Sequence, residues 1–285
     1  MGLFIKVSLI WLKPKQITLI MKILYALLML LLSLTTRAQE KTYHYMDTDD
    51  GLKIAYTDEG KGEAVMLIHG FISSGSSWDK SSLKKELLNS GFRVIVPDLR
   101  GNGKSSQPHD PKMYAGNIEI SDLIALATHL KLDEYDAVGY SRGSIVLANQ
   151  LTKDKRIKKA VLGGVGLDFS NPQWERRVMF ADAFSGRKVP NDITSGAVNY
   201  AKSIGADLEI LGYLQDYQPV TTPEELKTIT AKVLVIAGDK DKGNGEPAEL
   251  QAAIPGSKLV LVPGEHNGTH HSPAFAEAII DFLNQ

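Results

Sequence analysis

Ser141, Asp241 and His266 are the residues of this chain whose types and settings could together make and break an acyl bond. Ser141 is the centre of Gly139-Tyr140-Ser141-Arg142-Gly143, a G-x-S-x-G stretch. A short β-prone run, Tyr135 to Val138, precedes it, and Ile145 to Leu151, which can continue as a helix, follows. Strand, sharp turn and helix in that order lift a serine Oγ clear of a sheet. Glycines on both sides let strand and helix approach closely. The first N–H groups of the helix then point to where negative charge develops. A chance Gly/Ser turn is the bland alternative, and the flanking elements count against it.

A serine hydroxyl needs a base, and the base needs an acid to orient it. Gly238-Asp239-Lys240-Asp241 follows the apolar run Val233 to Ala237, and Pro263-Gly264-Glu265-His266-Asn267 follows Leu259 to Val262. Both are loops at strand C-terminal ends, where open α/β sheets place their sites. Asp239, and more remotely Asp168, are rivals for the acid; His270 and His271 are rivals for the base. An oxyanion needs two backbone donors. One is the N–H of Arg142, and the loop His69-Gly70-Phe71 offers the N–H of Phe71 as the other. Loss of such a donor typically removes about 2.7–4 kcal/mol of transition-state stabilisation. The histidines match no metal-ligand spacing, so no metal is expected.

The elements around these loops follow from periodicity. Thr42 to Asp47 and Leu52 to Asp58 read as strands of a hairpin turned at Asp50-Gly51. Ala64 to His69, Phe92 to Val96, Ile157 to Leu162 and Lys232 to Ala237 read as buried strands. Trp78 to Asn89, Ile118 to Leu130 and Phe275 to Leu283 read as amphipathic helices, the last started by Pro273. The alternation predicts an α/β fold: a mainly parallel, doubly wound, eight-stranded sheet. About seventy residues separate two of the strands, far more than a connection requires. The reading is a small helical cap over about 167–228, with helical patches at Glu175–Phe184 and Ile193–Ile204, holding Trp174 and several other aromatic residues.

The 285 residues are 43% hydrophobic and 23% charged, with a net charge of -1. That suits one globular domain and leaves no footprint for nucleic acid. With no cysteine, disulfides, thiolate metal sites and cysteine nucleophiles are excluded. Lys22 and the apolar run Ile23 to Leu32, followed by small and polar residues up to Glu40, have the form of a secretory signal peptide. The run is short for a membrane span. The expectation is a signal over residues 1–39, cleaved near Ala38 or Gln39, with residues 1–20 an upstream extension before Met21; an uncleaved anchor is the alternative. Residues 40–285 form the domain, which would be secreted or periplasmic and touch a membrane only through the signal sequence.

Over most of residues 42–285 the chain resembles the α/β-hydrolase superfamily, in its branch of capped esterase-like and non-haem peroxidase-like serine enzymes. His69-Gly70-Phe71, Gly139 to Gly143, Gly238-Asp239-Lys240-Asp241, and His266 with Pro273 and Phe275 carry the resemblance. So does Asp98-Leu99-Arg100-Gly101-Asn102-Gly103-Lys104-Ser105, in the D-x-x-G-x-G-x-S form. The resemblance implies an α/β-hydrolase fold, a serine triad with no cofactor and a small-molecule substrate. It favours Asp241 over Asp239 and His266 over its neighbours. It departs at the acid loop, where Gly243-Asn244-Gly245 intervenes and Pro247 falls six residues after Asp241 rather than four. His69 is expected to brace its loop, and Asp98 and Arg100 to hold theirs. Arg142 and Trp174 are the candidate substrate contacts. The Arg142 side chain has two readings: a buried ion pair with an acid such as Glu265 or one from the cap, or a grip on a polar or anionic substrate group. The expected activity is that of a carboxylesterase on small acyl esters. The alternatives are lactone, thioester, carbon–carbon or peracid chemistry on the same residues, or a ligand-binding protein with a silent triad.

Overall fold

Five apolar residues in Ala64–Ile68 and six residues in Tyr135–Tyr140 are buried along their whole length, which only strands covered on both faces can sustain. They are β3 and β5 of the computed structural model, which describes residues 21–25 and 41–285. The proposed signal segment lies outside the described residues except for 21–25, which are helical. Residues 43–285 form one compact unit.

Among the described residues the sheet has eight strands. With β3 and β5 they are β1 (His44–Asp47), β2 (Lys53–Glu59), β4 (Arg93–Pro97), β6 (Ile157–Gly163), β7 (Lys232–Gly238) and β8 (Lys258–Val262). Their order is β1-β2-β4-β3-β5-β6-β7-β8. β1 and β2 form the expected hairpin, and β2 also runs antiparallel to β4. All remaining pairs are parallel. The C-terminal ends of β5, β7 and β8 therefore open onto one rim.

Helices cover both faces. α1 (Ser82–Asn89) and α10 (Pro273–Leu283) bury Leu83, Leu87, Phe275 and Ile279 on one face. α2 (Ile118–His129) and α3 (Arg142–Lys153) bury Ile120, Leu123, Val146 and Leu147 on the other. The single helix expected over Trp78–Asn89 is instead a 3-10 turn, Gly75–Lys80, followed by α1. Ser81 breaks them apart: its backbone is extended and its side chain accepts the Leu83 N–H, which caps α1. Trp78 ends fully buried as a result.

Between β6 and β7 stand α4 (Glu175–Phe184), α5 (Ser195–Ser203), α6 (Leu208–Asp216) and the short α7 (Pro223–Leu226). α4 and α5 fall on the two expected patches, whereas α6 was not expected. Phe180, Phe184, Val198, Ile210, Leu211 and Leu214 pack here with Tyr114 into a small apolar core of their own. α8 (Pro247–Ala253) follows β7, and α9 (His266–Thr269) follows β8.

Candidate active site

Ser141 sits between β5 and α3 with φ 53° and ψ -125°. A non-glycine residue rarely adopts such a backbone, and it persists only where its surroundings force it. The flanking glycines supply the force. A Cβ on Gly139 would lie 2.6 Å from the Gly143 carbonyl oxygen, and one on Gly143 would lie 2.3 Å from that of Ile68. Only glycine permits a turn this tight, and the turn pushes the serine side chain off the sheet.

The His266 Nε2 lies 2.9 Å from the Ser141 Oγ, and its Nδ1 lies 2.8 Å from the Asp241 Oδ2. The three residues lie at the ends of three different strands and meet in the chain order that the sequence suggested. Burial raises the Asp241 pKa, but hydrogen bonds from His266 and Asn244 and the nearby Arg176 charge outweigh it, so the carboxyl is held below its usual value. An ionised Asp241 fixes the imidazole with Nδ1–H toward the carboxylate and leaves Nε2 free to accept from the serine. The rivals have other employment. Asp239 Oδ1 accepts the Gly264 N–H at 3.0 Å as a turn residue. His270 stacks on Tyr140, with ring centroids 4.4 Å apart, and burial lowers its pKa to about 4. Asp168 packs against Gly245, beside the acid loop.

The departure from the family pattern at Gly243-Asn244-Gly245 has a structural purpose. Gly243 and Gly245 take φ values of 85° and 81°, and a Cβ on Gly166 would stand 2.1 Å from the Gly245 carbonyl carbon. This close approach brings Asn244 under the acid, where its Nδ2 donates to Asp241 Oδ1 at 2.9 Å. Asn244 was not singled out as a functional residue; the extra glycines beside it were its signal.

The two expected backbone donors stand ready. Gly70 abuts Ser141, with a hypothetical Cβ 3.4 Å from the serine Cβ. Phe71 N–H and Arg142 N–H have no acceptor among the described residues. His69 braces this loop: its Nδ1–H donates to the Gly70 carbonyl at 2.9 Å and its Nε2 accepts the Leu99 N–H at 3.0 Å. Burial lowers its pKa, so it stays neutral. Ile72 follows with φ 50°, a strained value for a β-branched residue beside the donor loop. Asp98 holds its own loop, accepting N–H groups from Gly75 and Lys104. Arg100 does more than its loop requires, bridging Asp122 on α2 and Asp50 in the β1–β2 turn.

Arg142 adopts the ion-pair reading. Its guanidinium donates to both Glu119 carboxylate oxygens, at 2.9 and 2.5 Å, and to the Leu214 carbonyl. The partner is thus on α2, neither Glu265 nor a cap acid, because the side chain turns back along the face shared by α2 and α3. A cavity of about 680 Å³ opens above Ser141. Trp174, Phe180, Arg176 and Gln218 line it from the segment between β6 and β7, and Ser141, Phe71 and His266 line it from the sheet rim. A carbonyl entering it could meet a nucleophile, a base and two N–H donors together.

A family model described as the alpha/beta hydrolase fold matches residues 63–196. A protein from Synechocystis sp. named after non-heme chloroperoxidases is 29% identical over 271 residues, covering 81% of this chain and 95% of that protein. A non-heme haloperoxidase from Rhodococcus erythropolis is 29% identical over 262 residues, covering 79% of this chain and 92% of that one. The crystal structure of a bromoperoxidase from Bacillus anthracis superposes with a TM-score of 0.67 at 27% identity, covering 86% of this chain and 100% of that one.

Proposed function

The chain belongs to the α/β-hydrolase superfamily of enzymes, and on that premise we propose that it is a serine carboxylesterase acting on small acyl esters. The observation that carries the reading is His266 set between Ser141 Oγ and Asp241, at 2.9 and 2.8 Å. As Ser141 Oγ bonds to the acyl carbon, His266 Nε2 takes its proton and the carbonyl electron pair moves onto oxygen. The Phe71 and Arg142 N–H groups receive that oxyanion. The intermediate collapses, the bond to the alcohol breaks, and His266 returns its proton to the departing oxygen. Water then attacks the acyl-serine, giving its proton to His266. The acid leaves and Ser141 regains its hydrogen. Asp241 remains ionised throughout and holds the imidazolium.

A fluorophosphonate probe tests this directly. The expected result is stoichiometric labelling at Ser141, abolished in Ser141→Ala, together with turnover of p-nitrophenyl esters. An inert Ser141 would leave a ligand-binding protein on the same fold. The names of the haloperoxidase relatives favour one second reading, in which hydrogen peroxide replaces water in the last step and the acyl group leaves as a peracid. Bromination of monochlorodimedone in the presence of acetate, bromide and peroxide distinguishes the two. The form of the N-terminus supports a third element, export to the periplasm or beyond. Fractionation, with the mass of the mature N-terminus, checks it.

A further inference from the structure

Among the described residues, the cavity wall contains three arginines and neither aspartate nor glutamate. Two of the three arginines are engaged. Arg142 is paired with Glu119. Arg177 donates to the backbone carbonyls of Gln215 and Asp216, at 3.0 and 2.7 Å. Arg176 is different. Its guanidinium lies 4.8 Å from the Phe180 ring centroid. A Cβ on Gly243 would stand 3.7 Å from its Nη1, so the charge lies against the loop that carries Asp241. Among the described residues it has no hydrogen-bond or ion-pair partner. Burial makes its charge less favourable, with only the distant attraction of Asp241 in opposition, yet a guanidinium does not give up its proton.

A second, more deeply buried group also lacks a partner. Gln218 lines the cavity, is 5% exposed, and its buried amide Nε2 has no acceptor among the described residues. A buried donor without an acceptor is unfavourable, and a half-buried cation with no anion against it is under-stabilised. Both penalties are relieved if the molecule that fills the cavity carries the missing acceptor. The guanidinium lies over the Phe180 ring, and its planar fork of donors suits a carboxylate.

We propose that Arg176, with Gln218 as a further donor in the same cavity, recognises an anionic group on the substrate, and that the substrate class is a carboxylate-bearing ester such as a hemiester of a short dicarboxylic acid. The proposal rests on the esterase reading for its substrate and on the cavity alone for its anion. Arg176 also steadies the charge of Asp241, but that effect acts on every ester alike and cancels when two esters are compared on one enzyme.

The test is therefore a ratio. The pair is the mono-p-nitrophenyl ester of glutarate and the same ester with its free carboxylate methylated, which differ in charge at one end. Wild type should show the higher kcat/KM for the anionic ester. Arg176→Met should lower the ratio of the two kcat/KM values by roughly 10- to 100-fold, chiefly through KM of the anionic ester. Arg176→Lys should restore part of it, keeping the charge and losing the fork. If Arg176→Met does not fold by circular dichroism, Arg176→Gln carries the same comparison. A wild-type preference for the methylated ester, or a ratio that moves less than about twofold, overturns the proposal. Calorimetry of glutarate with Ser141→Ala separates the two claims. Arg176-dependent binding without any ester turnover would end the esterase reading and keep the anion site; turnover with an unmoved ratio would do the reverse.

Discussion

The two walls of the cavity are held by different forces. The lower wall is the sheet rim, where Ser141, Asp241 and His266 each follow a strand fixed by a parallel hydrogen-bond ladder. Backbone contacts with no slack surround them, as at Gly139 and Gly143. The upper wall is α4 to α6, which pack on one another around Phe180, Phe184, Ile210 and Leu214 and leave Val178, Val189, Ile193 and Tyr200 exposed. Side-chain packing and ion pairs, which tolerate substitution, hold that wall. The contrast teaches a division of labour: groups that must meet within a few tenths of an ångström stand on the ladder, and the groups proposed to choose the substrate stand on the layer that can change without unfolding the sheet.

The largest effect should come from the lower wall. Ser141→Ala is expected to lower kcat for an activated ester by roughly 10^4- to 10^6-fold, and Asp241→Asn by about 10^4-fold, with KM little moved. Asp239→Asn should stay within a few-fold of wild type, since among the described residues that carboxylate receives only the Gly264 N–H. Stopped-flow release of p-nitrophenol reads all three. An Asp239 variant as damaged as the Asp241 variant would break the assignment of the acid.

Arg142 is where the walls join. Its side chain and that of Glu119 are 4% and 5% exposed, and it also holds the Leu214 carbonyl of α6. Arg142→Met would leave the Glu119 carboxylate buried alone, which typically destabilises by about 3–5 kcal/mol. Adding Glu119→Leu should recover most of the loss, because a well-packed apolar pair replaces a buried ion pair at little penalty. Urea unfolding midpoints measure both. If the single variant matched wild type, Arg142 would not be the brace between sheet and cap, and its charge would again be free for substrate.

This pair also marks what the sequence could show. Ser141, Asp241 and His266 were legible because each sits in a short loop after an apolar strand, and local pattern fixes such loops. The α2 to α3 approach was not, so Glu119 could not be chosen as the Arg142 partner; only tertiary packing selects it among the many acids of the chain. α6 was readable in principle, since Asp207 accepts the Glu209 and Ile210 N–H groups as its N-cap and Ile210, Leu211 and Leu214 share one face. Aromatic residues scattered through the segment hid that stripe. Asn244 was hidden for another reason: its role depends on Gly166, nearly eighty residues earlier, leaving room for the Gly245 turn.

The smallest expected effect concerns how the cap is fastened at its edge. His109, exposed on the loop after β4, has Nδ1 3.0 Å from Glu209 and Nε2 3.1 Å from Asp207, at the start of α6. Tyr213 also donates to Glu209, and Asp110 lies beside the group. The hydrogen bond with Glu209, then the charge of Asp207, raise the His109 pKa above its ordinary value. A raised folded-state pKa means that the clasp contributes fully below the unfolded value, about 6.5, and is lost as pH rises through the folded one. Thermal unfolding of wild type and His109→Gln should therefore differ most near about pH 5.5 and converge near about pH 8.5. Solvent screens this exposed site, so the difference should be small and should shrink further in high salt. The lower wall offers the control: Asp241 is held ionised by partners already in place across this range, so pH should loosen the edge of the cap without loosening the rim. A pH-independent gap between the two proteins would instead make His109 a packing residue, and the cap edge would be fastened as rigidly as the sheet.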